Sequence, residues 1–226
     1  MFKKAVVLLG VMAFCVGVGR AETFKFWLQE DAWVNQANPD ANYGSSTYLT
    51  VKDTSKLAEA YLRLSQADLD QLAGQRVVSA ALSLYQYQGN YPLGDLVTIH
   101  KVTQEWREAD ITWANKPAYE PLAASSLILD SGVEVWRRWD GLADLVGAWK
   151  AGQNYGLVLE NNSDLKAEEL FSRFYSSEFS DEAKRPFLEV TTTAVPEPVS
   201  SALFLLGSLT FVARLRLKKK FWGHIT

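Results

Sequence analysis

Between residues 22 and 194 the chain holds one histidine, His100, and no cysteine, so the inventory of catalytic side chains is short. It has no Gly-x-Ser-x-Gly elbow, no His-Glu-x-x-His pair and no glycine-rich phosphate loop after a strand. A zinc site would need more than one histidine. His100 sits in Val97-Thr98-Ile99-His100-Lys101 and points away from the side of Val97 and Ile99, which predicts a surface or half-buried strand residue. Two carboxylates suffice for glycoside cleavage. Glu105, Glu108 and Asp110 surround Trp106, and Asp181 and Glu182 follow Glu178. A chain this acidic produces such clusters as solvated surface, so no catalytic residue is assigned. The enzyme alternative is a polysaccharide lyase built on a tyrosine and His100, or a glycoside hydrolase.

Two non-catalytic chemistries are better represented. Asp31, Asn38, Asp40 and Asn42 fall in one turn-rich stretch whose hard oxygens suit calcium. They lack EF-hand spacing, and ordinary Asx turns explain them equally well. Asp31 and Asp40 are the candidate ligands; no cofactor is otherwise required. Sugar binding asks for an exposed aromatic face with polar neighbours. Trp136-Arg137-Arg138-Trp139 is the most suggestive run, and Tyr43, Tyr85, Tyr87 and Tyr91 are further candidates. In a strand Trp136 and Trp139 face opposite ways. Parity places Trp139 inside with Val133 and Val135, and Trp136 with Arg138 outside. Trp136, Arg137, Arg138 and Tyr43 are therefore the candidate ligand contacts, the two arginines suiting a uronic-acid polymer.

The elements that must position these residues are strands. Phe24/Phe26/Leu28, Leu49/Val51, Ala60/Leu62/Leu64, Val78–Tyr87, Val97/Ile99, Leu157/Leu159, Phe171/Arg173/Tyr175 and Leu188/Val190 follow a period of two. Turn signals separate them at Asn38-Pro39-Asp40, Asn42-Tyr43-Gly44, Gly89-Asn90-Tyr91-Pro92 and Asn161-Asn162-Ser163-Asp164. Leu142, Leu145, Val146 and Trp149 have helical spacing, with Asp140 as N-cap and Gly152 as stop, and Gln66–Leu72 suits a second short helix. The pattern predicts an all-β fold: a single antiparallel jelly-roll β-sandwich with one or two short helices.

The ends of the chain carry an address. Lys3 and Lys4, an apolar run from Ala5 to Gly19, and Gly19-Arg20-Ala21 form a secretory signal peptide over residues 1–21, cleaved after Ala21. A retained anchor is the alternative, and the run is short for one. Cys15 leaves with the signal, so the exported domain has no disulfide. Near the other end, Val199–Ala213 is 15 residues without a charge, followed by Arg214, Arg216, Lys218, Lys219 and Lys220. As a helix it would cover roughly 22 Å, a marginal transmembrane stop with its cations inside.

Export changes the charge. Of 23 Lys and Arg, three precede residue 22 and five follow residue 213, leaving 15; of 26 Asp and Glu only Glu197 lies outside, leaving 25. The domain at 22–194 thus carries about −10, which argues against nucleic acid as a partner.

Val195-Pro196-Glu197-Pro198, then the apolar segment 199–213 and the basic cluster 214–220, resembles the PEP-CTERM sorting signal of exopolysaccharide-producing Gram-negative bacteria. The resemblance implies an exosortase as processing partner, transient membrane insertion, and a final location at the cell surface or outside the cell. Residues 221–226 extend beyond the usual end of such tails. A second resemblance spans 22–194. Asp31-Ala-Trp-Val, Asn42-Tyr43-Gly44, Ala60-Tyr-Leu-Arg-Leu64, Ala80-Ala-Leu-Ser-Leu-Tyr85, Trp106–Trp113 with Pro117, Asn154–Leu159 and Ser176-Ser-Glu178 with Arg185-Pro186 are similar in order to the DNRLRE domain. That jelly-roll module is related to disaggregatase repeats and to a class of carbohydrate-binding module. It implies a non-catalytic module for extracellular polysaccharide, with a structural matrix or appendage protein as the alternative.

Overall fold

Gln75–Gly89 forms the longest strand, and its alternation shows how the sheet is built: Ala80, Leu82 and Leu84 turn into the core, while Tyr85 and Tyr87 turn out and are half-buried. The computed structural model describes residues 20–53, 56–90, 94–162 and 170–195. Among them, eleven strands lie in one unit, Ala21–Ala194. In chain order they are β1 (Ala21–Trp27), β2 (Glu30–Asn35), β3 (Tyr48–Asp53), β4 (Ala58–Arg63), β5 (Gln75–Gly89), β6 (Asp95–Lys101), β7 (Ser125–Leu129), β8 (Val135–Trp139), β9 (Leu157–Asn161), β10 (Leu170–Tyr175) and β11 (Phe187–Ala194). Two short helices interrupt them, α1 (Gln66–Asp70) and α2 (Ala143–Lys150).

Every strand pairing among the described residues is antiparallel. The order runs β1-β11-β5-β10-β3-β4-β9-β6-β7, with β8 added beside β5 and β2 beside β4. The path is continuous only through one residue pair, Lys52 with Ala58, between β3 and β4. There the sheet folds over, giving a sandwich-like all-β fold. One layer holds β1, β11, β5, β8, β10 and β3; the other holds β2, β4, β9, β6 and β7. Leu82, Leu84, Leu188 and Val190 from the first layer meet Leu62, Val97, Ile99 and Leu159 from the second in one apolar core.

The helices seal that core. Ser65 caps α1, its Oγ accepting from the Asp68 N–H at 3.2 Å, and Leu69 is buried. α2 buries Leu145, Val146 and Trp149 and ends before Gly152 at φ 93°. Its start differs from expectation: Leu142 is the N-cap and Asp140 is instead held by Arg138, because Gly141 at φ 84° turns the chain between them. A second apolar cluster lies on the other side of the second layer, where Tyr61 and Val158 are covered by Val102, Trp106 and Ile111.

This cover corrects one expectation, and the start of β8 corrects another. His100 is buried rather than at the surface, because the segment 103–120 lies over its face of β6. Val133 and Val135 are exposed rather than inside with Trp139. Glu134 at φ 59° breaks the alternation before β8, and Val135 meets only the far end of the pairing, opposite Gln86. Residues 1–19 of the expected signal peptide, Pro196, Glu197 and Pro198, the apolar stretch 199–213, the basic cluster 214–220 and Tyr91 lie outside the described residues. Among the described residues no helix is long and apolar enough to cross a membrane.

Trp139 ties the two layers together: it is fully buried, edge-on to Phe174 at 5.8 Å, its indole N–H donating to the Val97 carbonyl at 3.1 Å across the sandwich. Trp139→Ala is expected to cost about 3–5 kcal/mol in urea unfolding; a cost under about 1 kcal/mol would mean the two layers do not depend on it.

Candidate functional site

The outward side chains of the first layer form a belt of aromatic rings. Trp27 on β1 meets Phe187 on β11 at 5.5 Å, and Phe187 meets Trp136 on β8 at 5.0 Å. Trp136 stands edge-on to Tyr85 on β5 at 5.4 Å. Tyr85 and Tyr87 both stack on Tyr175 of β10, at 5.8 and 4.6 Å, and Tyr175 stacks on Phe179 at 3.5 Å. Tyr87 continues to Tyr48 on β3 at 6.3 Å. Period-two alternation on six strands of this layer places these rings together, and cross-strand contact holds them. Trp27 and Trp136 remain 38% and 41% exposed, so ring surface is open to a ligand.

Cations lie over the belt. Lys25 Nζ is 4.2 Å from the Trp27 ring and 3.8 Å from Phe187; Lys184 Nζ is 5.0 Å from Tyr85; the Arg173 guanidinium is 5.2 Å from Tyr48. Beside Trp27 an open cleft of about 520 Å³ is lined by Gln29, Ser177, Glu178, Glu182 and Arg185.

The expected contacts divide. Trp136 lies in the belt, with Arg138 on the same side of β8; the Arg138 side chain is 45% exposed and pairs with Asp140 at 2.9 Å and Glu189 at 3.0 Å. Arg137 points the other way and is a brace. Its side chain is 10% exposed, with Nε donating to Gln86 Oε1 at 2.6 Å and a terminal nitrogen donating to Asp130 Oδ1 at 2.7 Å and to the Gly132 carbonyl. That guanidinium holds the Asp130 carboxyl below its ordinary range. Tyr43 stacks on Trp33 at 4.0 Å and accepts from Asn38 Nδ2 at 3.1 Å, outside the run from Trp27 to Tyr87. Lys25, Lys184 and Trp27 had no distinguishing local signal; the pairing of β1 with β11, Trp27 opposite Phe187, brings in Trp27 and Lys25, and the turn before β11 brings Lys184 over Tyr85.

The titratable groups also sort by place. His100 is bonded at both ring nitrogens: Nδ1 lies 2.9 Å from the Glu120 carbonyl, and Nε2 lies 3.0 Å from Thr98 Oγ1 and 3.1 Å from Glu160. Tyr119 donates to Glu160 at 2.6 Å, and burial followed by that bond pushes its hydroxyl pKa up, opposite to what a lyase base needs. Glu105 is drawn off to Arg63, and Asp181 caps the turn before Ala183.

Glu108 turns inward instead. Its Oε1 accepts from the Asp31 N–H at 3.1 Å, and Asp31 Oδ2 accepts from the Ser177 N–H at 2.8 Å. Asp31, Glu108 and Glu178 thereby bring one carboxylate oxygen each within 4.8 Å of one another. Asp31 is 1% exposed, and burial, then Glu178 and to a lesser degree Glu108, raise its pKa well above the carboxylate range. Asp40, the other expected ligand, sits in an exposed turn and is not in this group. Asn42 does contribute: its Nδ2 donates to the carbonyls of Glu108 at 2.7 Å and Ile111 at 2.8 Å. Gly44 lets the chain pass so close that a Cβ would sit 2.4 Å from the Glu108 carbonyl.

An antiparallel sandwich with an open aromatic sheet face defines a class, the β-sandwich modules that present a ligand surface on strands. The family follows from the sequence: residues 22–192 match the model of Carbohydrate-binding module family 96, and the chain belongs to that family. No curated protein matches it. Among solved structures, a chain of the cryo-EM structure of Mud crab tombus-like virus is similar at 12% identity over 91% of this chain and 95% of that one, with a TM-score of 0.26.

The brace at Arg137 yields a stability test. Arg137→Ala leaves the fully buried Gln86 without that donor and is expected to destabilise by about 1–3 kcal/mol. Arg138→Ala, losing only exposed pairs, should cost under about 1 kcal/mol. Equal costs in thermal unfolding would contradict the division.

Proposed function

We propose that this chain is an exported module that binds extracellular polysaccharide without cleaving it, using the aromatic belt of a jelly-roll β-sandwich. The observation that carries the reading is the belt itself: Trp27, Phe187, Trp136, Tyr85, Tyr175 and Tyr87 in ring-to-ring contact across five strands, with two tryptophans open. Aromatic faces match the apolar faces of successive pyranose rings, and a row of them suits a chain rather than a single sugar. The family and the DNRLRE resemblance support the same reading.

Charge narrows the ligand. The domain is about −10, yet Lys25, Lys184 and Arg173 stand over the belt. A uronic-acid polymer meets those cations, whereas a neutral glucan uses only the rings. Export through the signal cleaved after Ala21, transient insertion of 199–213 and exosortase processing near Val195-Pro196-Glu197-Pro198 would deliver the module to the surface of a Gram-negative cell, where such polymers lie.

The test is affinity electrophoresis of the chain in a polyuronate, with neutral glucan for comparison. Trp27→Ala and Trp136→Ala are each expected to weaken binding about tenfold, equivalent to about 1.4 kcal/mol. Lys25→Ala with Lys184→Ala should weaken polyuronate binding alone, and added salt should do likewise. Undiminished binding in both tryptophan variants would sink the belt. Release of new reducing or unsaturated ends would make the protein an enzyme, and no binding to any glycan would favour a structural matrix protein.

A further inference from the structure

The carboxylates of Asp31, Glu108 and Glu178 come from three separated parts of the chain: the start of β2, the segment between β6 and β7, and the turn after β10. Their own hydrogen bonds account for only part of their acceptor capacity. Asp31 Oδ2 takes the Ser177 N–H, Glu108 Oε1 takes the Asp31 N–H, and Glu178 Oε1 takes the Ser177 hydroxyl at 2.7 Å. Asp31 Oδ1 and Glu178 Oε2 are both buried and without a hydrogen-bond partner. Two buried, unpartnered carboxylate oxygens in a cluster of three acids are costly unless a cation, or failing that a proton, sits among them.

No Lys or Arg is paired with any of the three among the described residues, the nearby Arg63 being committed to Glu30 and Glu105. We infer that Asp31, Glu108 and Glu178 form a binding site for one hard divalent cation of the calcium class. All three side chains offer oxygen only, as such an ion prefers, and the absence of nitrogen and sulfur donors disfavours zinc. A glycosidase pair is a poorer use of the same groups, because a substrate must reach both carboxyls and Asp31 is closed off. The ion ties together three segments that otherwise meet through a few hydrogen bonds. Among them is the Ser176–Glu178 turn, which separates Tyr175 from Phe179 in the belt. The inference does not depend on sugar binding, and its test contains no glycan.

The experiment is calcium titration of the chelator-stripped chain, followed by calorimetry and by thermal unfolding. One ion per chain is expected to bind, raising Tm by about 5–10 °C at roughly a hundredfold excess over Kd. Asp31→Asn and Glu178→Gln should each weaken that binding at least about tenfold and shrink the Tm rise, the expected loss for one charged ligand. In chelator each variant should melt no lower than the parent, since it takes one acid out of a crowded group of three. Should one variant fail to fold, the other decides. No saturable heat and no Tm shift at millimolar calcium would overturn the site, as would an undiminished shift in the folded variants.

Discussion

The pleat of β5 is the constraint on which the rest depends. One strand of 15 residues sends Leu82 and Leu84 into the core and Tyr85 and Tyr87 into the belt, and it pairs with β11, β8 and β10. A one-residue slip would exchange the two sets, burying tyrosine hydroxyls and exposing leucines. Core and aromatic belt are therefore opposite sides of one register. The bulge between Arg173 and Phe174 adjusts β10 where it meets β5, so Phe174 fills the core while Tyr175 stacks on both tyrosines.

The two layers treat their outer faces differently. The second layer buries its outward side under the segment 103–120, with Trp106 donating to the Tyr155 carbonyl at 2.8 Å and Lys116 paired to Glu59 beneath. Its polar residues pair off beneath that cover, Tyr61 donating to Glu59 and Tyr119 to Glu160. The first layer leaves its rings partly open and covers them with flexible cations instead. Lys25, Lys184 and Arg173 thereby place positive charge over the rings of a domain that is acidic as a whole.

Much of this was legible in the residues. Period-two runs located most of the strands, and the opposite facing of Trp136 and Trp139 on β8 followed from parity. What escaped was non-local or irregular. The strand character of Glu30–Asn35 was hidden because Asp31, Ala32, Trp33 and Val34 are all buried, which erases alternation. The positive φ of Glu134 reversed the parity argument for Val133, and no local rule marks a glutamate for that conformation. Asp31 stood out as a ligand candidate, but its neighbours Glu108 and Glu178 lie 77 and 147 positions away, and Asp40, close in sequence, is not among them. The covering of His100 likewise needed the fold of a segment that follows it.

The edge strands close the account. β1 lies against β11 from Ala21 opposite Thr193 to Trp27 opposite Phe187, while β11 is bonded along its other side to β5. Ala194 is at one end of β11 and Phe187, a belt residue, at the other, roughly 23 Å apart at the usual strand rise. A pull applied between Ala194 and the belt would run along this strand. It loads two rows of hydrogen bonds in shear, all at once, instead of peeling them singly. The force that the fold itself withstands along this line is thus set by backbone pairing.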